Sequence, residues 1–483
     1  MGADPVSGAA AAPFPLFQSR RAGVLLHVTS LDGGHGIGDL GPAAHAFLEW
    51  LARSGSTIWQ MLPLGPVGEG NSPYSARSSF ACEPLLVSAE LLAEDGLLTR
   101  REARPDGPRA SSARRVEWEE VRRRKGRLFS LAYERFLAAG GAGRPQWHRF
   151  LRNPWLRGWC AMAADEGGSP GLAAFLQFQF ERQWMRLRSR ARRLGVRLLG
   201  DLPIFVPLDS QDVRDQPRLF RLDARGRPEV VTGVPPDCFS RDGQRWNHPH
   251  YRWREHRRDG FRWWIRRVQR VLELVDAVRV DHFVGFVNAY EIPGAAATAR
   301  RGRWRATPGA ELLAAIARAV GPLPFVAEDL GAVTPRVTAL REAWGLPGMR
   351  LVQNAFGGGD SWDLPHRHPA ACVAYPGTHD NDTTAGWWRT LPAPARRRLL
   401  DYAGGPARSA VESMIRITMT SPANTAIIPM QDHLRLGSRA RMNVPGKAEG
   451  NWTWRLPAGW HGSADARAVR RVIEAAGRLQ ENH

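Results

Sequence analysis

The sequence predicts an α/β protein of the (β/α)8 TIM-barrel class, with helical and loop insertions around the active site. Eight short apolar runs rich in β-branched residues are spaced along the 483 residues, and amphipathic helical stretches lie between them. Most of the runs are apolar on both faces, which is typical of buried parallel strands. A doubly wound sheet is the alternative, because the number of strands does not decide whether a sheet closes.

The eight predicted strands follow one another along the chain. They are VLLHVTSL (24–31), IWQMLPLG (58–65), RLLGDLPIFV (197–206), AVRVDHF (277–283), PFVAEDL (324–330), MRLVQNAF (349–356), ACVAYPGTHD (371–380) and TAIIPMQD (425–432). Helical periodicity marks the segments between and after them, including PAAHAFLEWLARSG (42–55), FRWWIRRVQRVLELV (261–275) and ADARAVRRVIEAAGRLQ (464–480). Strands that alternate with helices predict parallel βα units.

Two connections are too long for simple crossovers. Residues 85–190 are rich in Arg, Glu, Trp and Leu at helical spacing, which predicts an inserted helical subdomain. Residues 207–260 mix turn residues with aromatics and predict an active-site loop insertion. Residues 1–21 lack the basic start and leucine-rich stretch of a signal peptide, so we predict a disordered tail before one barrel domain over 22–483.

The formal net charge of +20 comes almost entirely from arginine, since only Lys125 and Lys447 are lysines. A nucleic-acid binder gathers its basic residues into one patch. Here they are spread along helical stretches such as RRVEWEEVRRRKGR (114–127) and RQWMRLRSRARRLG (182–195). Solvated helix faces are therefore the preferred interpretation, and we predict no nucleic-acid partner.

Cysteine usage bears on the cellular compartment. The four cysteines, Cys82, Cys160, Cys238 and Cys372, have no CxxC or other short spacing. This pattern argues against zinc and a disulfide framework and predicts a reducing, cytoplasmic location. No apolar run approaches the roughly 18 residues of a membrane span, so no membrane partner is predicted.

Two motifs raise the question of a cofactor. Residues 36–41, GIGDLG, match GxGxxG after a strand, but the next strand ends in LPLG (62–65) without the acidic residue that would hold a ribose. We interpret the glycines as a tight loop at the barrel mouth. Residues 379–382, HDND, contain metal-ligating groups, but neighbours at a strand end point in different directions and no second histidine cluster supports them. We therefore predict no metal and no cofactor.

Three carboxylates carry the strongest functional signal. Asp281, Glu328 and Asp380 each follow an apolar run, at positions where parallel strands of a barrel bring side chains to one mouth. Carboxylates gathered there suit acid, base and nucleophile chemistry on a neutral, polyhydroxylated substrate. The alternative for each motif alone is a structural role, but three such strand ends together favour a sugar-active site.

The individual carboxylates have different surroundings. Arg279 and Asp281 lie two residues apart on a strand and so share one face, where the arginine favours an ionised aspartate that suits a nucleophile. Glu328 follows the apolar residues 325–327, and burial there predicts a raised pKa that suits a proton donor. The structural alternatives are a buried Arg–Asp pair and a glutamate that caps a helix.

In its motifs the chain resembles the amylomaltases, the 4-α-glucanotransferases of glycoside hydrolase family 77. The resemblance runs from about residue 22 to 456 and includes LLHVTSL, WQMLPLGP, NSPYS, GDLPIFV, GVPPDCFS, GQRW, VRVDHF, VAEDLG, LPGM, GTHDNDTT and ARMNVPGKAEGNW. It implies a (β/α)8 barrel and a retaining transfer of α-1,4-glucan segments to an acceptor glucan or glucose, in maltose or glycogen metabolism. A hydrolase of α-1,4-glucans with the same barrel is the alternative.

The resemblance also implies roles for individual residues. Asp281 matches the nucleophile, Glu328 the general acid/base, and Asp380 the third carboxylate, which grips hydroxyls of the cleaved sugar and helps to distort it. Further sugar contacts are implied for Arg279, His379, Asp201, Ser72 and Tyr74, and on the acceptor side for Asp237, Phe239, Gln244 and Trp246. Aromatic stacking on the acceptor is expected from Trp246, Phe239 and Phe356.

The sequence departs from the family pattern in several places. His27 begins HVTS where the family has HPTS, Cys238 stands where it has Tyr, WNHP (246–249) replaces WGNP, and FACEPLL (80–86) replaces FAGNPYL. Most of these changes fall on predicted sugar-binding surfaces. These departures therefore bear on acceptor preference, product size and the ratio of transfer to hydrolysis, and they leave the reaction class intact.

Overall fold

The computed structural model describes residues 12–105, 114–236, 240–359, 361–405 and 409–480. The strands in these ranges are β1 (Arg21–Leu25), β2 (Ile58–Gln60), β3 (Arg197–Leu202), β4 (Val230–Val234), β5 (Gln244–Pro249), β6 (Ala277–Val280), β7 (Asn288–Pro293), β8 (Arg303–Ala306), β9 (Phe325–Ala327), β10 (Gly348–Leu351), β11 (Cys372–Tyr375) and β12 (Thr425–Pro429). The α-helices are α1 (Pro42–Ser54), α2 (Ala89–Glu94), α3 (Trp118–Ala138), α4 (Pro145–Phe150), α5 (Leu156–Asp165), α6 (Pro170–Arg193), α7 (Gln211–Asp215), α8 (Trp253–Arg258), α9 (Arg262–Leu274), α10 (Gly309–Val320), α11 (Pro335–Ala343), α12 (Thr384–Thr390), α13 (Ala393–Tyr402), α14 (Ala410–Thr420), α15 (Met430–His433), α16 (Trp460–Ser463) and α17 (Ala466–Ala475).

Eight strands form one parallel sheet in the order β10-β11-β12-β1-β2-β3-β6-β9. The Ala327 N–H of β9 donates to the carbonyl of Pro347, just before β10, at 2.8 Å, and so joins the two edges of the sheet. The sheet therefore closes, and the predicted (β/α)8 barrel is confirmed. All eight predicted runs supply its strands, although the first run begins too late and its residues Val28–Ser30 form a 3-10 helix.

The barrel strands are buried on both faces, as their apolar sequences predict. Every residue of β2, β6, β9 and β11 is buried. Helix α1 begins at Pro42, where the missing N–H costs nothing, and ends before Gly55, whose φ of 75° closes the helix. Trp50 of α1 donates from Nε1 to the carbonyl of Ala464 at 2.8 Å, which ties the C-terminal segment to the barrel.

The helices α2 to α6 occupy the segment predicted to be helical, and a buried ion pair ties it to the barrel. Lys125 of α3 is fully buried, and its Nζ lies 2.7 Å from Asp39 Oδ2 and 2.8 Å from the Leu85 carbonyl. Asp39 belongs to the GxGxxG segment. In that segment a Cβ added at Gly38 would lie 2.0 Å from the Val28 carbonyl oxygen. The glycines serve close packing of the loop.

Residues 207–260 differ from the prediction of a loop. They contain β4 and β5, which join β7 and β8 in an antiparallel sheet of order β5-β4-β7-β8. The sequences of β5 and β8, QRWNHP and RWRA, are polar and lack an apolar run, so the periodicity gave no strand signal. This second sheet brings β5 to the mouth of the barrel.

The predicted N-terminal tail overlaps packed structure. Phe17 is only 1% exposed, and Arg21 begins β1, while residues 1–11 lie outside the described part of the chain. Among the described residues, no helix is both long and apolar enough to cross a membrane.

Candidate active site

The three predicted carboxylates lie beyond the C-terminal ends of β6, β9 and β11. In the barrel β6 pairs with β9, and Val280 is the partner of Ala327. Asp281 and Glu328 follow these two residues, so they occupy matching positions on adjacent strands. Neighbouring strands are about 4.8 Å apart, and matched residues point to the same face. Asp281 and Glu328 therefore face the same part of the barrel mouth.

Arg279 links the aspartates of β3 and β6. Its Nη1 donates to both carboxylate oxygens of Asp201, at 2.8 and 3.0 Å, and to Asp281 Oδ1 at 2.9 Å. This contact confirms that Arg279 and Asp281 lie on the same face. Arg279 is 3% exposed, whereas the Asp281 side chain is 27% exposed, so the second Asp281 oxygen can be approached from the mouth.

Asp201 is held below Asp281 by two donors. Besides Arg279, the Tyr74 hydroxyl donates to Asp201 Oδ2 at 2.8 Å. Burial raises the pKa of Asp201 to about 7, with Arg279 opposing the shift and Asp281 adding to it. Burial likewise raises the pKa of the Tyr74 hydroxyl well above its usual value, so this group acts as a donor.

Two backbone amides donate hydrogen bonds to Glu328. Its Oε2 accepts the His282 N–H at 2.8 Å, and its Oε1 accepts the Leu330 N–H at 3.1 Å. Burial raises the pKa of Glu328 to about 8, with Arg279 opposing the shift and Asp281 adding to it, as the sequence predicts. The helix-capping alternative is wrong, because the next helix begins only at Pro335.

The backbone conformation of His282 makes the hydrogen bond to Glu328 Oε2 possible. His282 has φ 50° and ψ 50°, a left-handed conformation that is uncommon outside glycine. The chain turns sharply there, directly after Asp281, and the turn aims the His282 N–H at Glu328. Strained backbone of this kind is typical of functional sites. No pattern in the sequence predicts this conformation.

Asp380 has a different set of partners. Its Oδ1 accepts from Asn443 Nδ2 at 2.6 Å, its Oδ2 lies 3.4 Å from His379 Nε2, and its carbonyl accepts from Arg441 Nη2 at 2.5 Å. The side chain is 42% exposed. Sequence reasoning missed Asn443 and Arg441, although both stand in the motif ARMNVPGKAEGNW, because nothing in the chain joins that motif to a residue some 60 positions earlier.

The donor-side residues form one wall beside Asp380. The rings of His379 and Tyr74 stack with centroids 5.1 Å apart and planes 13° from parallel, and Trp452 lies 6.0 Å from His379. Burial lowers the pKa of His379, which keeps its imidazole neutral at neutral pH. Ser72 Oγ accepts the Tyr74 N–H at 3.2 Å and so fixes the turn that presents Tyr74.

On the other side, β5 brings two predicted acceptor residues towards Asp281. The Trp246 ring meets the His282 ring edge to face at 4.9 Å, and Trp246 Nε1 donates to Gln244 Oε1 at 3.2 Å. Both side chains are half-buried. The predicted residues Asp237 and Phe239 lie outside the described residues.

The prediction for Phe356 is wrong. Phe356 is 2% exposed and packs with Leu399 and Met414 in a separate apolar cluster. Its ring is therefore closed to a sugar. An aromatic residue that follows a strand looks the same in sequence whether it lines the mouth or turns outward beneath a helix.

The possible metal-ligating segment 379–382 spreads its side chains among different partners. Asp382 Oδ2 accepts from the Ser438 hydroxyl at 2.7 Å, whereas His379 faces Asp380. In the part of the chain that the structure describes, no group of three His, Cys, Asp or Glu is arranged to hold a metal ion.

Comparison with known proteins supplies the family. The sequence profile described as 4-alpha-glucanotransferase matches residues 26–166 and 144–460. The 4-alpha-glucanotransferase of Thermus thermophilus is 42% identical and covers 95% of this chain and 99% of its own length. A chloroplastic/amyloplastic 4-alpha-glucanotransferase of Oryza sativa subsp. japonica is 41% identical over 91% of this chain and 80% of its own. The solved amylomaltase from Streptococcus agalactiae in complex with acarbose superposes with a TM-score of 0.91 at 30% identity, over 95% of this chain and 100% of that one.

Proposed function

This chain belongs to the 4-alpha-glucanotransferase family, and we propose that it transfers α-1,4-glucan segments to the 4-hydroxyl of another glucan or of glucose by a retaining double displacement. One observation carries the mechanism. Asp281, paired with Arg279, and Glu328, which burial keeps protonated, stand at matching positions on adjacent strands. An ionised and a protonated carboxyl beside one another are the two groups that a retaining glycosidic reaction needs.

In the first displacement, an Asp281 carboxylate oxygen attacks the anomeric carbon of the donor glucan while the bond to the glycosidic oxygen breaks. Glu328 gives its proton to that oxygen, which leaves as the 4-hydroxyl of the shortened chain. The product is a glycosyl ester on Asp281. Retaining enzymes hold the two carboxyls about 5–5.5 Å apart, which adjacent strands at about 4.8 Å can supply.

In the second displacement, the ionised Glu328 takes the proton from the 4-hydroxyl of an acceptor. The acceptor oxygen attacks the anomeric carbon, the ester bond breaks, and Asp281 returns as a carboxylate. Two inversions leave the α configuration unchanged. Both enzyme groups are restored, and the proton lost in the first step is regained in the second.

The surrounding residues position the donor sugar. We assign hydroxyl contacts to Asp380, whose exposed carboxylate is fixed by Asn443, and to the neutral imidazole of His379. Arg279 and Asp201 hold Asp281 in place, and Tyr74 supports Asp201. Ser72 acts through the Tyr74 backbone.

Transfer in preference to hydrolysis requires an acceptor that is well held and a poorly placed water. We assign this task to Trp246 and Gln244 of β5, together with Asp237 and Phe239. The support is the contact between Trp246 and His282, which places the Trp246 ring next to the residue after Asp281.

The cellular setting is part of the same proposal. We propose a cytoplasmic enzyme that handles maltooligosaccharides from maltose or glycogen. The support is that Cys82, Cys160 and Cys372 carry free thiols, as proteins of a reducing compartment do.

Incubation with maltotriose, followed by separation of the products by chain length, tests the proposed activity. We expect glucose together with a ladder of oligosaccharides longer than maltotriose. Glucose and maltose alone would identify a hydrolase instead. The Asp281→Asn protein, prepared in parallel, shows whether any ladder comes from a contaminating enzyme.

A further inference from the structure

A small, partly open chamber lined by His379 adjoins the active site. Residues after β1, β11 and β12 line it, among them His27, Thr378, His379, Gln431, Asp432 and Arg441. The volume that the centres of water molecules can occupy in it is about 30 Å³. A polar cavity needs roughly 10–15 Å³ of such space to hold one water, so this chamber has room for one or two.

His27 is the residue of this chamber whose hydrogen bonding is incomplete. Its side chain is 6% exposed, and its Nδ1 is buried with no hydrogen-bond partner among the described residues. Buried polar atoms in folded proteins are rarely left unpaired, because desolvation without a partner is costly, so such atoms generally have a function or a bound water.

Other polar side chains that line the chamber are already engaged. Both carboxylate oxygens of Asp432 accept from Thr384, from its N–H at 2.8 Å and its hydroxyl at 2.7 Å. Gln431 Nε2 donates to the Ala440 carbonyl, and Arg441 Nη2 donates to the Asp380 carbonyl. These three side chains are committed to the loops around the chamber, and the imidazoles of His27 and His379 also line it.

Both imidazoles are neutral. Burial, with a smaller contribution from the neighbouring His379, lowers the pKa of His27 to about 3. The pKa of His379 is also lowered, chiefly by burial. A neutral imidazole has one donor and one acceptor nitrogen, so two of them can share a bridging water without repulsion.

We propose that His27 is a positioning residue for the reaction, because a water bound in the chamber bridges its imidazole to that of His379 and fixes the ring that contacts the donor sugar. The bridge completes a set of constraints on His379, which already has Tyr74 stacked on its ring and Asp380 at Nε2. This inference rests on the proposed role of His379 in the glucanotransferase reaction.

Kinetics of three variants test the proposal with maltotriose as substrate. His27→Leu removes both nitrogens, and we expect a loss of kcat on the order of 10- to 100-fold with a smaller change in KM, because a displaced contact group costs more in the transition state. His27→Gln keeps a donor and an acceptor and should recover most of that loss. His256→Leu is the control. That residue is fully buried, also has an unpaired Nδ1, and lies outside the chamber, so kcat should be unchanged even where the protein is less stable.

NMR of the 15N-histidine-labelled wild-type protein provides a test without any variant. A long-lived water should give nuclear Overhauser cross-peaks between its protons and the ring protons of His27 and His379 that do not arise from chemical exchange. His379 should also show a single tautomer. Absence of these cross-peaks overturns the proposal, as does a His27→Leu enzyme with wild-type kcat, or a His27→Gln enzyme as impaired as His27→Leu. Failure of the proposed function would give a different result. The wild-type enzyme would then make no oligosaccharides longer than maltotriose, whereas the NMR cross-peaks would still be present.

Discussion

Two buried arginines lie at opposite ends of the barrel, and their charges are stabilised in different ways. At the C-terminal end, Arg279 faces the carboxylates of Asp201 and Asp281 and leaves Asp281 partly exposed. At the N-terminal end, Arg478 is fully buried and, among the described residues, donates only to backbone carbonyls, those of Met419, Ser421, Ala423, Asn424 and Arg21.

The partners of Arg279 serve the reaction, whereas those of Arg478 serve the stability of the fold. Burial raises the pKa values of Asp201 and Glu328, with Arg279 opposing the shift and Asp281 adding to it, so a protonated Glu328 stands beside Asp281. Carbonyls around Arg478 cannot ionise. They belong to the first residue of β1 and the segment before β12, so Arg478 fastens the C-terminal segment across the start of the barrel. Loss of Arg279 partners should therefore stop catalysis, and loss of Arg478 should loosen the fold.

The largest effect is expected from Asp281→Asn. The amide cannot form the glycosyl ester, so kcat for maltotriose disproportionation should fall on the order of 10⁴-fold or more. The fold should survive, because Arg279 keeps both oxygens of Asp201. A purified variant with near wild-type turnover would remove Asp281 from the mechanism.

Glu328→Gln should cost less and should depend on the leaving group. With maltotriose, loss of the proton donor should lower kcat by about 10²–10⁴-fold. With α-maltosyl fluoride, whose fluoride leaves without a proton, formation of the glycosyl enzyme should be nearly as fast as in the wild type. An equal loss with both donors would indicate that Glu328 has a structural role only.

Arg478→Met should act on stability and not on chemistry. Several buried carbonyls lose donors worth about 1–3 kcal/mol each, so we expect roughly 3–5 kcal/mol of lost unfolding free energy. Denaturant unfolding measures the loss, and kcat at a temperature where the variant is folded should match the wild type. Arg471→Met, at an exposed position of the preceding helix α17, is the control and should change neither quantity.

The pH–rate profile should reflect Glu328. Because burial raises its pKa to about 8, the proton donor is present at neutral pH and is lost as the pH rises through about 8, so kcat/KM should fall there. The free energy of unfolding should change in the same direction. A carboxyl whose pKa is higher in the folded state than in the unfolded state stabilises the fold fully below its unfolded pKa, and this contribution is lost as the pH rises through about 8. With α-maltosyl fluoride, Glu328→Gln should lack this alkaline limb, and a limb that persists there would belong to another group.

The smallest effect is expected from Trp246→Ala. Loss of stacking worth about 1 kcal/mol should raise the ratio of hydrolysis to transfer by roughly fivefold, as the acceptor is held less well than before. Trp304→Ala is the control, because Trp304 is 39% exposed on β8, at the far edge of the same sheet. Equal product ratios in the two variants would assign Trp246 to packing.

The contrast between the two arginines also shows what a sequence can predict. Asp281 and Arg279 were visible because they lie two residues apart on one apolar strand, and Glu328 because an apolar run precedes it. Arg478 follows the end of α17, and its partners are Arg21 and carbonyls of residues 419–424, all more than 50 positions away in the sequence. Asn443 likewise lies far from its partner in the sequence, 63 positions after Asp380. Local periodicity finds strands and their ends, whereas contacts between distant loops need the folded chain.

The second sheet shows the same limit from another side. Trp246 was predicted as an acceptor residue from family resemblance, but the strand that carries it was not, because β5 is polar and short. Phe356 shows the opposite error. It is expected to stack on the acceptor, yet its ring packs against Leu399 and Met414 and is closed to a sugar.

Mass spectrometry of a trapped intermediate tests the central claim directly. Glu328→Gln protein mixed with α-maltosyl fluoride should accumulate a maltosyl ester, because the ester forms without an acid and breaks down slowly without a base. Peptide mapping should place the added maltosyl mass on Asp281. An adduct on Asp201 or Asp380, or the absence of any adduct while fluoride is released, would contradict the assignment of Asp281 as nucleophile.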